Sequence, residues 1–125
     1  MSVQDATSMI AVSDIDAACA FMRDCLGFET THRSPGHAYC KRGGGAVRFL
    51  QAPKDADMDD PARQTTVYID VEDTDAEFET YRGALEKLPK GKMRPPFDQP
   101  YGQREFHAIH EAILIMVGQR ITKEA

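Results

Sequence analysis

Val12-Ser-Asp-Ile-Asp-Ala17 and Val71-Glu-Asp-Thr-Asp-Ala76 carry the same pattern, V-x-D-x-D-A, at an offset of 59 residues along the chain. Identities continue at that offset beyond the pattern. The matched pairs are Val12/Val71, Asp14/Asp73, Asp16/Asp75, Ala17/Ala76, Arg23/Arg82 and Leu26/Leu85. Each copy follows an apolar, strand-like run and begins an amphipathic helix. An acidic helix cap after a strand is common by itself, but a match that continues through the helix predicts a duplicated module.

Length, charge and cysteine content limit the class of protein. The 125 residues predict one domain, 1–125, in which the two modules share a core. The net charge is −5 with both signs interspersed, which argues against nucleic-acid and anionic-membrane partners and mildly favours a neutral or cationic small molecule. Three cysteines without metal-type spacing, and an N-terminus unlike a signal peptide, predict free thiols in the cytoplasm. The sequence has no apolar run of membrane-spanning length.

The first module, 7–51, reads as βαβββ. The run Ser8–Val12 predicts a strand, and the helix after it has one apolar stripe that ends at a glycine suited to a left-handed cap. The stripe and cap residues are Ile15, Cys19, Met22, Leu26 and Gly27. Three further strands are predicted near 28–33, 37–42 and 46–51, because turn-forming glycines and a proline separate them.

The second module, 65–119, repeats this order after a polar linker, 52–64, that contains two prolines. In its first strand, Val67 and Ile69 are expected under the helix and Tyr68 on the opposite face. The predicted fold class is α+β, with two βαβββ modules that form a curved mixed sheet around a cavity and helices on its outer face.

The chain resembles the vicinal oxygen chelate superfamily, which includes glyoxalases, bleomycin-resistance proteins and extradiol dioxygenases. The resemblance rests on Val12-Ser-Asp-Ile-Asp-Ala-Ala-Cys-Ala-Phe21, on Leu26-Gly27-Phe28, and on Asp98-Gln-Pro-Tyr-Gly-Gln-Arg-Glu-Phe106. The third stretch is similar to the bleomycin-resistance branch, in which Tyr101 is usually a tryptophan. Family precedent implies a homodimer with ligand clefts between its subunits.

The superfamily's enzymes bind a divalent metal through residues on the first and last strands of each module. The corresponding positions here are expected to be Thr7, Phe49, Thr66 and Met116. Divalent ions need carboxylate, imidazole or several carbonyl oxygens, which this set does not supply. The sequence therefore predicts neither a metal nor another cofactor.

The sequence departs from the family pattern at two further places. The last hairpin has Ile109-His-Glu-Ala112 where a D-P-x-G turn is usual, which predicts a longer or differently shaped turn. The aromatic positions that help to bind bleomycin fall on His32 and His37, which stack less well than phenylalanine.

Candidate ligand contacts come from the sheet face opposite the helices. We expect Met9, Phe49, Tyr68, Tyr101 and Met116 to line the cavity, with His32 and His37 beside them. Glu105 and His107 lie two apart on a predicted strand and so point to one face. They are interpreted as a surface salt bridge, with an acid–base pair or a partial metal site as the alternative.

Two functions from different classes fit these residues. The preferred hypothesis is a metal-free binding protein that sequesters a planar small molecule, either neutral or cationic. The alternative is a metal-dependent glyoxalase- or dioxygenase-type enzyme whose ligands have moved, for instance to His37, Glu105 and His107. An interaction module with a cavity filled by side chains is a third possibility.

Overall fold

The computed structural model describes residues 2–122 and contains two βαβββ units, as predicted. The elements of the first are β1 (Ser8–Val12), α1 (Ile15–Leu26), β2 (Glu29–Ser34), β3 (His37–Arg42) and β4 (Gly45–Gln51). The elements of the second are β5 (Thr65–Asp70), α2 (Thr74–Leu85), β6 (Met93–Asp98), β7 (Gln103–His110) and β8 (Ile113–Arg120). A short 3-10 helix, Pro61–Arg63, precedes β5. Neither helix within residues 2–122 has the length and apolar character needed to cross a membrane.

Hydrogen bonds join the strands into mixed sheets, as predicted, and the eight strands form two open four-stranded sheets, one in each unit. The strand orders are β1-β4-β3-β2 and β5-β8-β7-β6. In each sheet the module's first strand pairs in parallel with its last, and the other pairs are antiparallel. One compact unit ends at Met58 and the other begins at Asp59. The repeat in sequence is therefore also a repeat in topology.

Both helices begin at the predicted aspartates. The side chain of Asp14 accepts a hydrogen bond from the Ala17 amide at 3.1 Å, and that of Asp73 accepts one from the Ala76 amide at the same distance. Each bond satisfies an amide that has no partner within the helix. Helix α1 ends at Gly27, which has the left-handed φ of 72° that glycine adopts readily. The helix starts predicted at Asp14 and Asp73 and the cap predicted at Gly27 are confirmed. The sequence allowed either Ser13 or Asp14 as the first cap, and Asp14 takes that role.

Each sheet has one face that packs on its helix and one that does not, and we call the second the helix-free face. In the first unit, Cys40 lies 3.7 Å from Cys19 of α1, sulfur to sulfur, so Cys40 points to the helix. In the second, the Phe106 ring meets Phe78 of α2 edge-on, with ring centroids 5.5 Å apart. Because side chains alternate along a strand, the neighbours of Cys40 and Phe106 lie on the helix-free faces.

Phe49 corrects the predicted cavity lining. It is 1% exposed and pairs across the sheet with Ile10 and Ala38, both buried on the helix side. The prediction that Phe49 lies on the helix-free face is therefore wrong, and Arg48 occupies that face instead. A shift of one residue moves every side chain of a strand to the opposite face, and β4 has apolar residues at both parities. The large phenyl ring takes the buried site because it removes the most apolar surface from water.

The turn between β7 and β8 is short, so the longer of the two expected alternatives is wrong, and a differently shaped turn is the one that remains. His110 pairs with Ile113, and only Glu111 and Ala112 form the turn. Glu111 adopts a φ of 50°, a conformation that glycine or asparagine usually takes. The paired strands on both sides hold the chain in this tight turn at the cost of that backbone strain.

Candidate functional site

The residues predicted to bind a ligand fall into two sets, one on each unit. Met9 lies on the helix-free face of the first sheet and is 59% exposed. His32 and His37 lie on the neighbouring strands β2 and β3, with ring centroids 5.7 Å apart. In the second unit, Tyr68 and Met116 are register partners on the helix-free face.

Tyr101 lies in the turn between β6 and β7 and is 56% exposed. Its turn is closed by a hydrogen bond from the Gly102 amide to the Gln99 carbonyl, and Gly102 has a left-handed φ of 84°. The turn directs the phenol back towards β7. There its hydroxyl donates to Glu105 Oε2 at 2.5 Å.

Glu105 is the centre of the second unit's cluster. It is 0% exposed, although it carries a carboxylate and lies on the helix-free face. Gln99 Nε2 donates to its Oε1 at 3.0 Å, and His107 Nε2 donates to the same oxygen at 2.8 Å. Together with Tyr101, these donors satisfy both oxygens. A buried carboxylate without such donors would cost several kcal/mol, roughly the penalty of an unpaired buried ion.

Tyr68 extends this cluster across β8. Its hydroxyl lies 3.0 Å from Gln103 Oε1, and its ring crosses over Gly118, which pairs with Glu105 in the sheet. A Cβ atom placed on Gly118 would lie 2.1 Å from the Tyr68 hydroxyl oxygen. Glycine is therefore required at position 118 for the Tyr68 ring to occupy its place. The ring remains 37% exposed on the helix-free face.

A second set of contacts, made by residues of β6, holds the His107 ring in place. The Phe97 ring meets the imidazole edge-on, with centroids 5.0 Å apart. The Arg94 guanidinium carbon lies 3.4 Å from the centre of the Phe97 ring. Phe97 is thus held between a cation and the imidazole, which fixes the side of the cluster nearest β6.

The electrostatics of the cluster keep the carboxyl group ionised. Burial alone raises the pKa of Glu105, but the hydrogen bonds from Tyr101, His107 and Gln99, together with the nearby Tyr68 hydroxyl, outweigh it, and its pKa is lowered from the usual value. The pKa of Tyr101 is raised, chiefly by its hydrogen bond to Glu105. The pKa of Tyr68 is raised by burial and then by Glu105. At neutral pH the Glu105 carboxyl group is therefore ionised, and the hydroxyls of Tyr68 and Tyr101 beside it are neutral.

This geometry corrects the interpretation of Glu105 and His107 as a surface salt bridge. Their side chains are 0% and 15% exposed, so the contact is buried. Glu105 is saturated with donors and has a lowered pKa, which makes it a poor general base. The arrangement is suited to holding Tyr101 in place and to attracting positive charge.

The residues at the superfamily's metal-ligand positions do not fit a divalent ion. Arg48 replaces Phe49 in the corrected set, which becomes Thr7, Arg48, Thr66 and Met116. A guanidinium repels a cation, and hydroxyls and a thioether are poor ligands for hard ions. Across residues 2–122, no group of three or more His, Cys, Asp or Glu side chains is arranged to hold a metal.

Sequence reasoning found the exposed rings of this site but missed its centre. Gln99, Gln103 and Phe97 were not predicted, and Glu105 was not identified as a buried anchor. The available signal was the spacing from Gln99 to Tyr101 and Glu105 around a proline–aromatic–glycine turn, which folds the chain back on itself.

Comparisons with known proteins agree with this fold. The family model described as Glyoxalase/Bleomycin resistance protein/Dioxygenase superfamily matches residues 5–113. No curated protein sequence matches the chain significantly.

Several solved structures are similar in fold. A bleomycin resistance determinant encoded on the transposon Tn5 has a TM-score of 0.75 and 19% identity over 94% of this chain and 98% of its own. A bleomycin-binding protein complexed with bleomycin has a TM-score of 0.75 and 20% identity over 94% and 99%. A bleomycin-binding protein from Streptomyces verticillus, complexed with copper(II)-bleomycin, has a TM-score of 0.71 and 23% identity over 98% and 99%.

Proposed function

Since the chain belongs to the glyoxalase/bleomycin resistance protein/dioxygenase superfamily, we propose that it is a binding member that sequesters a planar, cationic small molecule without changing it chemically. The observation that carries the proposal is the fully buried Glu105, which fixes the exposed ring of Tyr101 through a 2.5 Å hydrogen bond. A rigid aromatic ring beside a negative charge suits a flat ligand with positive charge.

The ligand contacts proposed for the second unit are those of its helix-free face. Tyr68 and Tyr101 supply exposed rings for stacking, and Met116 lies between the strands that carry Tyr68 and His107. Glu105 supplies the charge. Two proteins of the same fold are described as bound to bleomycin or its copper complex, which makes a bleomycin-type compound the first ligand to test.

We also propose that the protein acts as a cytoplasmic homodimer. Cys19, Cys25 and Cys40 are free thiols, which supports a reducing compartment. Met9, Tyr68 and Tyr101 are large apolar side chains left exposed on or beside the helix-free faces, which supports their cover by a ligand and by a second subunit.

Tyr101 provides the direct test. Calorimetric titration with metal-free bleomycin should give weaker binding to Tyr101→Ala by about 1–2 kcal/mol, the contribution of a stacked ring with some lost apolar contact. Tyr101→Phe keeps the ring but loses the bond to Glu105, so we expect a smaller loss. Tyr81→Phe, which removes a hydroxyl from α2, is the matched control and should bind like the wild type.

Three measurements could contradict the proposal. Unchanged affinity of the Tyr101→Ala dimer would reject stacking on that ring. Mass spectrometry of the ligand after incubation separates sequestration from catalysis, because a sequestered molecule keeps its mass. One metal ion per chain by elemental analysis, together with activity lost on chelation, would favour the metal-dependent enzyme instead.

A further inference from the structure

Arg48 occupies in the first unit the position that Met116 has in the second. Met9 and Tyr68 are related by the repeat offset, and they pair in register with Arg48 and Met116 respectively. The first unit therefore places a guanidinium where the second places a thioether. The two helix-free faces consequently have different chemistry at equivalent points.

The guanidinium of Arg48 is held on two sides. Its Nε donates to Thr7 Oγ1 at 2.9 Å, and its central carbon lies 4.6 Å from the centre of the Tyr39 ring. Tyr39 is itself fixed, because its hydroxyl donates to Asp5 Oδ2 at 2.7 Å. A hydrogen bond and a stacking contact together set the plane and direction of the guanidinium. An ordinary surface arginine has no such fixed orientation.

The two terminal nitrogens of Arg48 remain available. Within residues 2–122 neither terminal nitrogen donates a hydrogen bond to an acceptor, and Nε is the one guanidinium nitrogen that does. The pair forms a fork of parallel N–H groups that matches the two oxygens of a carboxylate or a phosphate. The guanidinium is also half-buried, so an anion that reaches it meets a charge that is less screened by water.

Charged side chains of both signs surround Arg48 on this face. Lys41 lies on the same face of the neighbouring strand, and its pairing partner across the sheet is Glu29. Asp5 is the other nearby carboxylate, and it already accepts the Tyr39 hydroxyl. We propose that the helix-free face of the first sheet is an anion subsite in which Arg48 binds a carboxylate or phosphate group of a small molecule through both terminal nitrogens. The subsite is independent of the proposed function, since it shares no residue with the Glu105 cluster.

The test compares ligands that differ only in charge. Benzoate, phenyl phosphate and inorganic phosphate are the anions, and benzamide is the neutral match for benzoate. Titrations at constant ionic strength follow the Arg48 Nε–Hε resonance by NMR, with dissociation constants of roughly 1–10 mM expected for such small anions. Benzoate should shift the resonance to saturation and benzamide should not. A response to inorganic phosphate as strong as to phenyl phosphate assigns a free-anion site, and a stronger response to the phenyl compound assigns the anionic group of an organic ligand.

Three variants separate recognition by the fork from general charge. Arg48→Met installs the residue of the second unit and should weaken anion binding at least tenfold, roughly the effect of losing a bidentate pair. Arg48→Lys keeps the charge without the fork, so a several-fold loss is expected. Lys41→Met removes a neighbouring charge and should change affinity less than about twofold. Because two of these variants lack the Arg48 resonance, the affinities of all three are taken from the backbone amide resonances of β3 and β4, and the wild type is measured in the same way. The same backbone spectra establish that each variant is folded.

Particular results would overturn the subsite. Wild-type protein whose Arg48 resonance stays unchanged in about 50 mM benzoate and phenyl phosphate has no such site. Equal losses in Lys41→Met and Arg48→Met would mean that only net charge matters. Bleomycin binding is measured separately on Arg48→Met, so failure of the anion subsite is distinguishable from failure of the proposed function.

Discussion

Gly118→Ala offers a sharp test of the structure around Glu105. The added methyl group would lie 2.1 Å from the hydroxyl oxygen of Tyr68, 2.9 Å from its Cζ and 3.0 Å from Glu105 Cγ. Ordinary contact distances are well above these, so the Tyr68 ring must move by more than an ångström. That movement breaks its contact with Gln103 and disturbs the donors around the carboxylate.

The expected cost comes from moving the Tyr68 ring out of its place, which includes the loss of its hydrogen bond to Gln103. The crowded atoms belong to the outer end of a ring that is 37% exposed, so the ring moves aside and the cost is mainly that of the contacts it loses. Chemical denaturation should therefore give Gly118→Ala a free energy of unfolding lower by roughly 1–2 kcal/mol. Gly83→Ala is the matched control: Gly83 lies inside α2, exposed, with nothing within 4 Å of an added Cβ. That change should raise stability by about 0.5–1 kcal/mol, since alanine is the better helix former.

A double-mutant cycle identifies the cause. In a Tyr68→Ala background the ring is gone, so Gly118→Ala should lose most of its cost and the coupling should exceed about 1 kcal/mol. If Gly118→Ala is as stable as the wild type, or costs the same with and without Tyr68, the assigned packing of Tyr68 over Gly118 is refuted.

Three further outcomes are expected. The pKa of Glu105 is lowered by folding, so its contribution to stability is present above the unfolded pKa of about 4.3 and is lost as pH falls through the folded value. Glu105→Gln should therefore flatten the acid loss of stability seen by thermal melting from about pH 5 downwards, and an unchanged slope would contradict this. Asp14→Ala and Asp73→Ala should each lower the free energy of unfolding by about 1 kcal/mol through loss of the helix cap, with Asp24→Ala as a non-capping control. Light scattering at micromolar concentration should give a dimer, and monomer alone would count against a cleft between subunits.

Local patterns in the sequence determined the two helices, the residues at which they begin, and the order of helices and strands along the chain. The repeated aspartates accept the amide three residues later because the helix start itself leaves those amides without partners. The alternation of apolar and polar residues along β5 predicted the observed faces of Val67, Ile69 and Tyr68. Tyr68 is the one large side chain on the face opposite Val67 and Ile69, so the two faces are easily told apart. Such features depend on neighbours within a few residues, and those are readable without the fold.

Tertiary structure alone decided the face of Phe49, the turn at Glu111 and the state of Glu105. Strand β4 has apolar residues at both parities, so only packing against α1 could choose Phe49 for the interior and leave Arg48 outside. The tight turn at Glu111 is set by the pairing of β7 with β8, which outweighs the residue's backbone preference. Glu105 is charged and would be expected at the surface, but Tyr101, Gln99 and His107 replace the water that it loses. Burial of a charge depends on donors that only the folded chain brings together.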